Sequence, residues 1–183
     1  MDDRLHFTDS DEANELLVRE PLALLIGFAL DQQVTVQKAF MGPLVLRERL
    51  GTLDAPRIAE ADLEPVFRER PAIHRFPGAM AKRVRELAAH VEERYDGDAA
   101  RVWTDARTPD ELRAALEALP GFGTMKVDSL VAVLARRFGV EAAEPLVPGH
   151  PTLGDVDSPE ALASYQAGKR AHKAALRASR AAT

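Results

Sequence analysis

The stretch from Pro109 to Phe138 constrains the fold more than any other part of the chain. Leu112, Leu116 and Leu119 recur at helical spacing, and so do Val127, Leu130, Val131, Leu134 and Phe138. Between the two runs stands Leu119-Pro-Gly-Phe-Gly123. Glycines at this spacing let the chain fold back tightly with positive φ, so unshielded backbone amides can approach an anion at the start of the second helix. Phosphate is the obvious anion. The two helices and their turn therefore read as one unit, about residues 109–138.

The same 3–4 spacing recurs nearly everywhere else, which predicts an all-α fold. Leu5 to Phe7 is the one short segment that also reads as a strand. Asp9, Ser10 or Asp11 caps a first helix to about Val18. Pro21 then starts an apolar helix expected to run from Leu22 to Gln33, and Val34, Phe40, Val45 and Leu50 continue into another. Short helices fit 55–61 and 64–68. Pro77-Gly78 breaks the chain before a helix with Met80, Val84, Leu87 and Val91 on one face, closed by Asp96-Gly97-Asp98. Lys82, Arg83 and Arg85 lie on its other face. A short helix holds Val102 and Trp103, and Thr108-Pro-Asp-Glu caps the next. About a dozen irregular residues are expected through Pro148-Gly-His-Pro151 before Ser158-Pro-Glu opens a last helix.

The 183 residues contain no cysteine, which excludes a disulfide framework, a Cys-ligated zinc site and a Cys-ligated iron–sulfur cluster within this chain. The five histidines show no metal-ligand spacing, so no metal is expected. No apolar run approaches the ~20 residues that span a bilayer, and the N-terminus lacks a basic start followed by an apolar stretch. These features predict a cytoplasmic protein. The net charge is −5, but the signs are segregated. Lys169, Arg170, Lys173, Arg177 and Arg180 follow Gln166 with no acid among them, while the first twenty residues carry seven acids and two bases. The basic end reads either as a solvated last helix or as a phosphate-facing one.

Three stretches in order carry a resemblance: Pro21-Leu-Ala-Leu-Leu-Ile-Gly-Phe-Ala-Leu-Asp-Gln-Gln33, then Phe76-Pro-Gly-Ala-Met-Ala-Lys-Arg-Val-Arg-Glu-Leu87 with Tyr95-Asp-Gly-Asp98, then Leu119-Pro-Gly-Phe-Gly-Thr-Met-Lys-Val127. Over about residues 20–140 the chain resembles the helix-hairpin-helix (HhH-GPD) DNA glycosylases, in particular the short HhH-GPD base-excision repair proteins without an iron–sulfur cluster. The resemblance implies a two-lobed helical fold. One six-helix-barrel-like lobe would span 20–125, and the other would be built from 1–19 and 126–183. It also implies a nucleoid-associated monomer acting on double-stranded DNA that carries a damaged or mismatched base, with no cofactor beyond a monovalent cation that family hairpins often hold.

The roles that follow are specific. Gly121, Phe122, Gly123 and Thr124 would hold the DNA backbone, with Lys126 either joining them at phosphate or solvating the helix start. Gln32 and Gln33 match the family's inserting position, where the plain alternative is two exposed amides at a helix end. The lyase lysine stands two residues after the second glycine, and here that residue is Met125, so hydrolysis without lyase chemistry is expected. The family's catalytic Asp has no clear counterpart, because Val147-Pro-Gly-His-Pro-Thr152 puts His150 in its place. Asp155 is then the candidate catalytic carboxylate, with an Asx-turn acceptor as the alternative, while Glu141 and Glu144 are the other carboxylates of the region. Asp157 reads as a helix cap. His74 and Arg75 are placed within reach of a DNA strand. The expected function is a monofunctional DNA glycosylase; the alternative is a non-catalytic DNA-binding protein on the same scaffold.

Overall fold

The computed structural model describes residues 2–182, so the outermost residues of the expected terminal segments, 1 and 183, lie outside it. Ser10 caps α1 (Asp11–Arg19) by accepting from the Ala13 N–H at 3.2 Å. Pro21 then opens α2 (Pro21–Leu30), in which every residue from Leu22 to Leu30 is buried. A helix apolar on all sides has to be enclosed by others. Here α1, α3 (Val36–Leu50) and α6 (Pro77–Tyr95) enclose it. Gly27 lets α3 come close, since a Cβ there would lie 2.4 Å from the Phe40 ring. Phe40 in turn meets Phe7 and Phe28 edge-on, with ring centroids 4.8 and 5.2 Å away. Each such ring or leucine contributes about 1.5–3 kcal/mol by burial. A charge at Leu24 or Ile26 would therefore break this centre.

Two short helices, α4 (Ala55–Glu60) and α5 (Leu63–Arg68), pack on α6, which buries Met80, Val84, Leu87 and Val91 as its periodicity predicts. After α7 (Arg101–Thr104), Thr108 caps α8 (Pro109–Glu117). The tight turn leads into α9 (Thr124–Phe138), and 3-10 turns at Glu141–Leu146 and Leu153–Asp155 cover α9's far side. Ser158 caps α10 (Pro159–Ala181). One apolar core runs from Leu5 to Leu162, and among the described residues there is no strand and no helix long and apolar enough to cross a membrane.

Three local expectations change. Leu5–Phe7 is not a strand, because Asn14 holds it: Leu5 N–H donates to the Asn14 carbonyl, while the Phe7 and Thr8 N–H groups donate to Asn14 Oδ1. The connector after Gly139 is partly helical, because the buried Ala143 and half-buried Leu146 dock on the core. Most consequentially, α2 stops at Leu30 rather than Gln33, which leaves Asp31, Gln32 and Gln33 in a bend.

Candidate nucleic-acid interface and carboxylate site

Buried Leu119 and Phe122 plug the hairpin turn into the core, and the Phe122 N–H closes it onto the Leu119 carbonyl at 3.1 Å. Gly121 has φ +78°, and a Cβ there would lie 1.7 Å from the Arg83 guanidinium. The positive φ favours glycine, and any side chain there would also push the Arg83 guanidinium aside. Arg83 itself has no carboxylate partner among the described residues. Gly123 differs: its φ of −82° suits any residue, and nothing lies within 4 Å of where its Cβ would be. Glycine there keeps the space in front of α9 open. No side chain caps α9, so its first N–H groups and the positive end of its dipole face that space. Met125, 82% exposed, borders it.

Lys126 points the other way. Its Nζ donates to the Ala29 carbonyl at 3.1 Å and lies 5.8 Å from the Phe122 ring centroid, so it ties the hairpin to the end of α2 rather than offering itself to phosphate. Burial lowers its pKa, as does the nearby Arg83 charge, against the pull of Asp31. Asp31 is the half-buried first residue after α2. Burial raises its carboxyl pKa above the usual value, while the Lys169 and Lys126 charges pull it back. Tyr165 of α10 shares this environment. Its phenol pKa is raised by burial and by the Asp31 charge, and Lys169 stands 5.3 Å over its ring. Reciprocal amide bonds between Gln37 and Gln166, 3.1 and 2.7 Å, fix α10 beside the site.

Gln32 and Gln33 are exposed, and Gln33 holds φ +56°, an uncommon conformation for a residue with a side chain. His74 sets the bend. Its Nδ1 accepts from the Phe76 N–H at 3.0 Å, so the ring proton sits on Nε2, which lies 3.1 Å from both the Leu30 and Gln32 carbonyls. His74 is therefore not at the surface to meet DNA but 1% exposed, and burial lowers its pKa. Arg75 is exposed, 4.9 Å over the Phe76 ring. From the bend an open concavity of about 540 Å³ extends along Val34, Thr35, Lys38, Ala72, His74 and Arg75.

Asp155 does not join this group. Its Oδ2 accepts from the Thr152 N–H at 2.7 Å in a capping box, and its other oxygen faces Arg136. Both oxygens serve the turn that packs on α9. Glu141 and Glu144 are exposed on the preceding 3-10 turn, and exposed His150 lies against the Pro151 carbonyl. Trp103 is a core residue against Phe138. Among the described residues no three His, Asp or Glu side chains group as a metal site.

The structure thus brings the hairpin, the glutamine bend and one carboxylate together, but the carboxylate is Asp31. The sequence held one signal for it: an acid directly at the end of an otherwise wholly apolar helix. Nothing in the sequence separated Arg83 from its neighbours Lys82 and Arg85. The chain matches no family model, no curated protein and no solved structure.

Proposed function

We propose that this protein is a monofunctional DNA glycosylase that grips duplex DNA at the 121–124 turn and hydrolyses the N-glycosidic bond of a flipped damaged or mismatched base. The observation that supports the reading is the Lys126–Ala29 hydrogen bond, which holds the open, uncapped start of α9 against the end of α2, with Asp31, Gln32 and Gln33 following directly in the chain. A backbone phosphate at Gly123 would meet the α9 amides and the nearby Arg83 charge. Gln32 and Gln33 are positioned to fill the gap left by an extruded nucleotide.

Breaking the bond to the base leaves positive charge on the sugar. A carboxylate beside it stabilises that charge and takes a proton from the water that adds to the anomeric carbon, so that the base leaves and an abasic site remains. Asp31 is the group for this role, and the Lys126 and Lys169 charges favour its ionised form. Lys126 hydrogen-bonds protein and Met125 holds the position of the family's lyase lysine, so strand scission is not part of the reaction.

One observation favours a non-catalytic DNA-binding protein: Tyr165 and Lys169 of α10 share the space beside Asp31. Base release distinguishes the two. Duplexes carrying alkylated, deaminated or oxidised bases, incubated with the protein and then treated with alkali, should break at the lesion for at least one class. Binding with no release on any of them would favour the non-catalytic reading.

A further inference from the structure

α10 is docked only at its beginning. Leu162 is buried and Tyr165 and Gln166 are half-buried, but every described residue from Ala167 onward is exposed. At 1.5 Å per residue, 167–181 carries the helix about 22 Å past its last contact with the core. Alanine-rich composition sustains a helix there without packing. The free part has two unlike faces. At 100° per residue, Lys169, Lys173, Arg177 and Arg180 fall within an arc of about 80°, and Arg170 borders it. Ala167, Ala171, Ala174, Ala175 and Ala178 form the other face.

The basic arc continues the face by which Leu162, Tyr165 and Gln166 dock, so it looks toward the side on which Asp31 and Gln37 meet the helix. No acid of the chain neutralises it at Arg170, Lys173 or Arg177, which have no ion pair among the described residues. Five of the seven acids of the N-terminal segment are engaged elsewhere: Asp2 with Arg137, Asp3 and Asp11 with Arg4, Glu12 with Arg47, Glu15 with Arg4 and Arg19. A row of cations on a projecting helix calls for a polyanion. The outer alanine face has no Trp, Phe or Leu to enter a bilayer, and the one exposed leucine among the described residues, Leu176, lies at the edge of the basic arc opposite Arg170.

We propose that the basic face of α10 is a second DNA-backbone contact, an arm that holds the duplex beyond the hairpin. This rests on the DNA-binding part of the proposed function but not on catalysis. Each phosphate neutralised contributes about −0.9 to the slope of log affinity against log salt.

The test compares the full chain with a triple variant, Arg170→Gln, Lys173→Gln and Arg177→Gln, on an undamaged 30-base-pair duplex across a salt series. Circular dichroism checks that helicity is kept. The variant should have a slope shallower by about 2.7 and, at 0.1 M salt, roughly 500-fold lower affinity. An unchanged slope and affinity, with binding lost in Gly123→Asp, would overturn the arm and leave the hairpin reading standing. The arm also fails if the parent chain ignores the duplex, or if the triple variant loses binding only to phosphatidylserine vesicles. Base release absent from every lesion, with the salt effect present, would fault the catalytic reading and support the arm.

Discussion

The Nε2 of His74 lies 3.1 Å from the carbonyl of Gln32, forty-two residues away in the chain, and this contact shapes the end of α2. The same nitrogen faces the Leu30 carbonyl, so one neutral imidazole ends the helix and turns the exposed glutamines outward.

Acid should loosen that bend. Burial lowers the folded-state pKa of His74 below its ordinary value of 6.5, and the same holds for His90. The unfolded chain therefore takes up protons first as the pH falls. Stability is fully present above about pH 6.5 and declines below it, until the folded-state pKa values are reached. Thermal unfolding between pH 8 and 5 should show a falling Tm. His74→Phe should flatten part of that fall and cost about 2 kcal/mol by leaving buried backbone groups unpaired. A pH profile identical to the parent's would contradict this account.

The two aspartates should separate cleanly. Asp31→Asn should lower base release by about 10²-fold or more while duplex binding persists. It should also raise the Tm at neutral pH, because a carboxyl whose folded-state pKa is raised costs stability that builds up as the pH rises past its ordinary value of 3.8 and is complete above the folded-state value. Asp155→Asn removes a capping-box acceptor and weakens an ion pair, so it should cost about 1 kcal/mol and leave base release intact. Loss of release in Asp155→Asn alone would reverse the assignment.

Gln33 holds φ +56°, where glycine is at ease. Gln33→Gly should stabilise the fold by about 1 kcal/mol in denaturant titration, yet weaken binding to duplexes with a flipped or missing base. Stabilisation with unaltered binding would remove Gln33 from the interface.

At the hairpin the two glycines should fail differently. Gly121→Ala meets both a left-handed backbone and the Arg83 guanidinium, so it should cost about 1–2 kcal/mol of stability. Gly123→Asp meets open space and should leave the Tm near the parent's, while the carboxylate at the anion site lowers affinity for every duplex alike. Undiminished binding in Gly123→Asp would mean that phosphate does not sit there.

Borohydride reduction during turnover should trap no protein–DNA adduct. The half-buried Lys126 amine, its pKa lowered by burial, stands close to Asp31, as does Lys169. An adduct that disappears in Lys126→Met would establish lyase chemistry after all.

Local spacing carried the helices because burying one face of a helix writes a 3–4 repeat into the chain, and α6, α8 and α9 follow theirs. Caps are local too, and Thr108 follows its signature; Ser10 is the one of three candidates that caps α1, and the cap of α10 is Ser158 rather than Asp157, each bonding an N–H three residues ahead. The hairpin glycines could be read as a turn, but which of them serves the fold and which keeps a surface open depended on Arg83, thirty-eight residues before Gly121. The end of α2 is not written in its own residues, because the residue that terminates it, His74, arrives from a distant segment. Asp155 and Asp31 look alike in the sequence. Tertiary contacts alone spend one on a capping box and place the other between two lysines, because an ionisable group's role is set by burial and by neighbouring charges that come from other helices.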